Sequence, residues 1–133
     1  MKYFITSGKR KRAVARAVIK PGNGVVKING RLLEFCQPDI AKLKMQEPLL
    51  LAEGYADKTD ITVKISGGGV MSQAEAARLA IARALVGFTK DKKLEKTFLE
   101  YDRHLMVADV RRREVRKPNT HGKARAKRQK SYR

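Results

Sequence analysis

The chain has 133 residues, 42% of them hydrophobic and 6% aromatic, with no Trp and a formal net charge of +18 from 31 Lys and Arg against 13 Asp and Glu. That length suits one domain with a single modest core. A lone cysteine, Cys36, excludes an intrachain disulfide, no apolar run approaches the ~20 residues that span a bilayer, and the charged N-terminus has no hydrophobic signal segment, so a cytoplasmic protein is expected.

Residues 3–6 read as a short strand rich in β-formers, followed by a loop or bulge holding the basic run 9–12. Residues 13–20 alternate as a strand, with Val14, Arg16 and Val18 on one side and Ala15, Ala17 and Ile19 on the other. Pro21, Gly22, Asn23 and Gly24 mark a turn, and residues 25–28 return beside the second strand as a hairpin. Asn29-Gly30 is a second tight turn, leading to a further short strand over 31–35. A helix opens at Pro38-Asp39 and runs to about Met45, Pro48 breaks it, and residues 49–52 start another that ends at Gly54. Residues 59–65 form a half-buried strand with Ile61, Val63 and Ile65 on one side.

Gly67, Gly68 and Gly69 then precede the strongest helical pattern in the chain. Ser72 and Glu75 have the spacing of a capping box. Ala74, Ala77, Ile81, Ala84, Leu85 and Phe88 make one apolar face, whose small residues predict close packing on a sheet, with Arg78 and Arg83 outward. Residues 92–101 read as a third helix with Leu94, Phe98 and Tyr101 inward, and 105–110 as a last strand. From Arg111 onward there is no periodicity and little apolar mass, so the segment cannot bury enough surface to offset its ordering entropy and should order only on a partner. The expected division is a globular body over 1–110 and an extended basic tail over 111–133.

The charge divides the chain into three parts. Residues 1–20, 21–110 and 111–133 carry +7, +1 and +10. A nearly neutral middle with two cationic ends points to a polyanion, and nucleic acid is the first candidate. A membrane surface fits poorly, because Val115 and Tyr132 are the tail's only sizeable apolar groups. The tail could extend about 70 Å at ~3.3 Å per residue. The triple glycine reads two ways, which are compatible: a tight crossover needing positive φ, or a phosphate cradle at a helix N-terminus. No Gly-Lys-Ser/Thr follows it, so it is not a nucleotide P-loop. His104, His121 and Cys36 do not share a metal-ligand spacing, and no catalytic signature is present; neither an enzyme, a metal, a cofactor nor a small-molecule substrate is expected. A free nucleic-acid chaperone and a small kinase-like enzyme are the competing classes.

The stretch Gly67-Gly68-Gly69-Val70-Met71-Ser72-Gln73-Ala74-Glu75-Ala76, with Ala80, Arg83, Ala84 and Leu85, resembles the signature of the ninth small-subunit ribosomal protein family. Ser7-Gly8-Lys9-Arg10-Lys11 with Ala13 and Ala15-Arg16 is similar to that family too, as are Lys27-Ile28-Asn29-Gly30-Arg31 and Pro48-Leu49. So is the closing Lys117-Pro118, Ala124-Arg125 and Arg128-Gln129-Lys130-Ser131-Tyr132-Arg133, and the match runs in order over nearly the whole chain. The resemblance implies a two-layer α/β fold like domain two of the fifth small-subunit protein: a mostly antiparallel sheet, helices on one face, and an extended basic C-terminal tail. It implies a structural, non-enzymatic role in the small subunit, with ribosomal RNA of the head and neighbouring head proteins as partners. On that resemblance and the charge pattern, the expected ribosomal-RNA contacts are Lys9, Arg10, Lys11, Arg12, Arg16, Gly67, Gly68, Gly69, Arg111, Arg112, Arg113, Arg116, Lys117, His121, Lys123, Arg125, Lys127 and Arg128. The resemblance further implies that Lys130, Ser131, Tyr132 and Arg133 contact peptidyl-site tRNA. The bacterial pattern ends Ser-Lys-Arg; Tyr132 in the penultimate place, which could stack where that pattern has Lys, and the short N-terminus resemble the archaeal form.

Overall fold

Period-two burial builds the sheet. In β2 (Ala13–Pro21), Ala13, Ala15, Ala17 and Ile19 are fully buried, while Arg16 and Val18 face outward. The computed structural model describes residues 2–120 and 122–125. It sets β2 between β1 (Phe4–Arg10) and β5 (Thr59–Ser66), antiparallel to both. β3 (Val26–Ile28) runs parallel to β5 and antiparallel to the edge strand β4 (Arg31–Leu32). The order is β1-β2-β5-β3-β4. This mixed α/β architecture, a mostly antiparallel sheet with helices packed on it, is the expected fold class and agrees with the domain-two-like arrangement.

Helix α2 (Val70–Thr89) covers the inner face of β1, β2 and β5. Its alanines, among them Ala76, Ala77 and Ala80, are buried and short enough to let the backbones approach. A Cβ on Gly8 would lie 2.8 Å from the Ala80 nitrogen, so β1 needs a glycine there. Helix α1 (Asp39–Leu51) buries Ala41, Met45 and Pro48, and α3 (Lys92–Tyr101) buries Leu94 and Phe98; both pack against α2. Tyr101 faces solvent instead of the core.

Several elements depart from the sequence reading, each for a local reason. Lys9 and Arg10 belong to β1, which leaves Lys11 and Arg12 as a two-residue turn. Strand β3 does not return beside β2, because the intervening turn is tied to β5: Asp60 accepts from the N–H groups of Asn23 (2.9 Å) and Val25 (3.1 Å), and Gly22 N donates to Lys58 O (3.0 Å). That tether delivers β3 to the far edge of β5. The Asn29-Gly30 turn does form, with both residues at positive φ, and leads into β4 and a 3-10 turn at Leu33–Phe35 rather than one longer strand. Pro48 does not end α1. Its missing N–H and ring clash cost about 3 kcal/mol in an isolated helix, but Pro48 is fully buried and packing carries the helix through it.

The capping box is absent. Helix α2 starts one turn earlier with Gly69 as N-cap, Gln73 Nε2 donates back to Gly67 O (3.0 Å), and Glu75 is taken by Arg10. Residues 105–110 form no strand. Arg83 Nε meets Met106 O at 3.0 Å and its Nη1 meets Ser7 O at 3.0 Å, so side chains serve the backbone where a ladder was expected. Arg78 does not point outward: it is buried, paired with Glu47 and, at 2.9 Å, with Asp102.

Candidate nucleic-acid interface

Three pieces of chain meet at one end of α2. The first is the β1–β2 turn, where Lys11 sits in the left-handed region at φ 52°. The second is the glycine loop, with Gly67 and Gly68 at φ 76° and 67°. A Cβ on Gly67 would lie 2.6 Å from the Arg12 carbonyl oxygen, and one on Gly68 would lie 2.9 Å from the Ala13 nitrogen. The loop is thus pressed against the turn, and both glycines are required by the backbone itself. Gly69 has open space around it and starts the helix.

The third piece is the segment after Val110, which passes the same end of α2. Together they line an open cleft of about 850 Å3 that includes Lys11, Arg12, Gly68, Gly69, Ser72, Arg113 and Arg116. The first helical hydrogen bond of α2 is Gln73 N to Gly69 O (2.9 Å), and no side chain caps the N-terminus. The N–H groups before Gln73 therefore lack helical partners and favour an anion by about 0.3–1 kcal/mol through the helix dipole. Among the described residues, Lys11, Arg12, Arg113 and Arg116 form no ion pair. Chemically the arrangement suits an anion: cations unpaired among the described residues, a helix N-terminus without a side-chain cap, and glycines that keep the backbone accessible.

The root of the arginine segment is clamped. Asp109 is held by Arg111 (Nη2 at 2.8 Å, backbone N at 2.9 Å) and by Arg10 Nη1 at 2.6 Å. Hydrogen bonds from the Arg111 side chain, then from its backbone, hold the Asp109 carboxyl far below the usual range, and the Arg10 charge adds to this. Arg10 also binds Glu75 at 2.6 Å, and Lys44 approaches Glu75 at 3.9 Å. Arg112 Nη1 donates to the carbonyls of Asp109 (2.8 Å) and Arg111 (3.1 Å). Further on, the chain doubles back: Lys117 N donates to Lys123 O (3.0 Å), and Arg125 Nε donates to Glu114 at 2.8 Å. The Arg125 hydrogen bond lowers the Glu114 pKa.

The residues singled out from sequence are therefore not all in one place. Lys11, Arg12, Gly68, Gly69, Arg111, Arg112, Arg113 and Arg116 line the cleft. Gly67 supports it from behind. Arg10 lies in the ion network beneath it, and Lys9 sits in the edge strand β1. Arg16 is on the open face of the sheet, opposite Ser7 and Lys64. Lys117, Lys123 and Arg125 belong to the doubled-back segment. His121, Lys127, Arg128, Lys130, Ser131, Tyr132 and Arg133 lie outside the described residues. The sequence reading missed Ser72 as a cleft residue and Asp109 as the clamp; both follow from contacts between distant segments, and no local pattern marks them.

The family model for ribosomal protein S9/S16 matches residues 8–133. The chain is 53% identical over 133 residues to the small ribosomal subunit protein uS9 of Thermoplasma volcanium, covering 100% of both chains. It is 54% identical over 130 residues to the uS9 of Thermoplasma acidophilum, covering 98% of this chain and 100% of that one.

Proposed function

Because the chain belongs to the ribosomal protein S9/S16 family, we propose that it grips ribosomal RNA in the cleft at the N-terminus of α2 and that its far C-terminus reaches peptidyl-site tRNA. Membership makes it a structural constituent of the small ribosomal subunit, of archaeal type and cytoplasmic, and not an enzyme. Within that frame the body over 1–110 is the folded anchor and 111–133 is the arm.

One observation carries the RNA reading. Four cations without ion-pair partners among the described residues, Lys11, Arg12, Arg113 and Arg116, converge on a helix N-terminus with no side-chain cap. Phosphate is the ligand that uses both features at once, and arginine adds a planar fork and a stacking face. The cleft reads no base sequence by this chemistry, so its contribution is affinity and orientation. The tRNA contact rests on the family resemblance of residues 130–133 and on the tail's charge.

Binding of the chain to a small-subunit ribosomal-RNA fragment, measured across salt, tests the cleft. Arg113→Gln with Arg116→Gln should flatten the slope of log affinity on log salt by roughly 1.4–1.8, two cations at 0.7–0.9 each. An unchanged slope would mean that RNA does not enter the cleft.

A further inference from the structure

On a chain of net charge +18, one groove has no cation in its lining. It runs between the β4 edge of the sheet and the C-terminal half of α1, and encloses about 640 Å3. Val25, Leu32 and Leu50 give it an apolar lining; Leu50, at 64% exposure, is open to any partner. Glu34, Glu53 and Asp57 stand around them, all exposed.

These carboxylates differ from the five that bind an arginine. Glu47, Glu75, Asp102, Asp109 and Glu114 each hold an arginine. Among the described residues Glu34, Glu53 and Asp57 belong to no ion pair. An RNA backbone in this groove would meet three carboxylates and no cationic donor in the lining. A peptide with Lys or Arg flanking an aliphatic or aromatic side chain fits both features: its cations meet the three carboxylates, and its apolar group covers Leu50 and Leu32.

We propose that this groove docks a basic, apolar-bearing segment of another small-subunit protein. The inference rests on membership of the small subunit, and goes beyond the RNA reading by assigning the opposite surface chemistry to a protein partner. Acidic charge concentrated at one groove of a cationic protein selects among the basic extensions competing inside a ribonucleoprotein, because it admits those and excludes the nucleic acid around them.

Photo-cross-linking in purified small subunits tests it. With Leu50→p-benzoylphenylalanine, the expected product is a covalent link to a Lys/Arg-rich segment of one other small-subunit protein. Adding Glu34→Gln, Glu53→Gln and Asp57→Asn should lower its yield at least about fivefold, the combined effect of three exposed ion pairs. A link to RNA or to a second copy of the chain, no link, or a yield unchanged by charge removal overturns the proposal. Carbodiimide coupling on the unsubstituted chain gives an independent check, since Glu53 should join a lysine of the same partner. Sedimentation separates the two readings: a chain missing from small subunits refutes membership as well, whereas one present without the cross-link refutes the groove alone.

Discussion

At Lys11 a long cationic residue occupies a left-handed backbone position, φ 52°, that glycine would take without strain. The conformation costs a non-glycine residue about 1–2 kcal/mol. Lys11→Gly should therefore stabilise the isolated chain by about 0.5–1 kcal/mol, after allowing for glycine's greater freedom when unfolded, while weakening RNA binding. Thermal melting and RNA titration on one preparation check both signs, and a loss of stability would place the strain elsewhere. Asp109 differs, since it holds the root of the arginine segment through Arg111 and Arg10. Its pKa is depressed in the folded state, so its contribution is complete above the unfolded value near ~3.9 and is lost only as pH falls through the lower folded value. RNA affinity should show no step from Asp109 between about pH 5 and 8, whereas Asp109→Asn should weaken binding at every pH in that range. A step near neutrality that vanishes in Asp109→Asn would contradict this. At the residue scale the sequence exposed the alternating alanines and the basic ends, because each is a local pattern. It could not expose Arg78 as buried, since Glu47 and Asp102, which neutralise it, come from other elements.

Among the elements, the glycine loop does two jobs with different residues. Gly67 and Gly68 satisfy the backbone and its contact with the β1–β2 turn, while Gly69 starts α2 in open space. Gly67→Ala should destabilise the fold by about 1–3 kcal/mol, through positive φ and collision with the Arg12 carbonyl. That is a fall of several degrees in melting temperature for a chain of this size. Gly69→Ala, with φ −98° and no crowding, should melt near the parent temperature. Equal losses at both positions would remove the distinction. The two readings of the glycines offered by sequence thus separate by residue, the crossover at Gly67 and Gly68 and the accessible N-terminus at Gly69. Helix α2, α3, β2 and β5 were legible because their apolar periods are long. β3 was misplaced because its partner is set by Asp60 holding a turn, and α1 was split because Pro48 reads as a breaker until its burial is known.

For the molecule as a whole, charge and shape divide the surface by partner. On the proposed reading, the cations at one end of α2 serve RNA and the carboxylates of the groove beside α1, unpaired among the described residues, serve a protein partner. The charge is concentrated in residues 1–20, which supply β1 and β2, and in residues 111–133, while residues 21–110 are nearly neutral. That division predicts how a truncation should fail. Removing residues 130–133 deletes Lys130 and Arg133 but leaves every cation of the cleft. Small subunits carrying the shortened chain should therefore assemble at the parent yield. Their affinity for peptidyl-site tRNA should fall about tenfold or more, what one charged hydrogen bond of ~1.5 kcal/mol contributes. Unchanged tRNA affinity in fully assembled subunits would reject the tRNA contact and leave the cleft intact. Failed assembly would instead place those four residues among the ribosomal-RNA contacts, and the boundary between anchor and probe would then have to move towards the C-terminus.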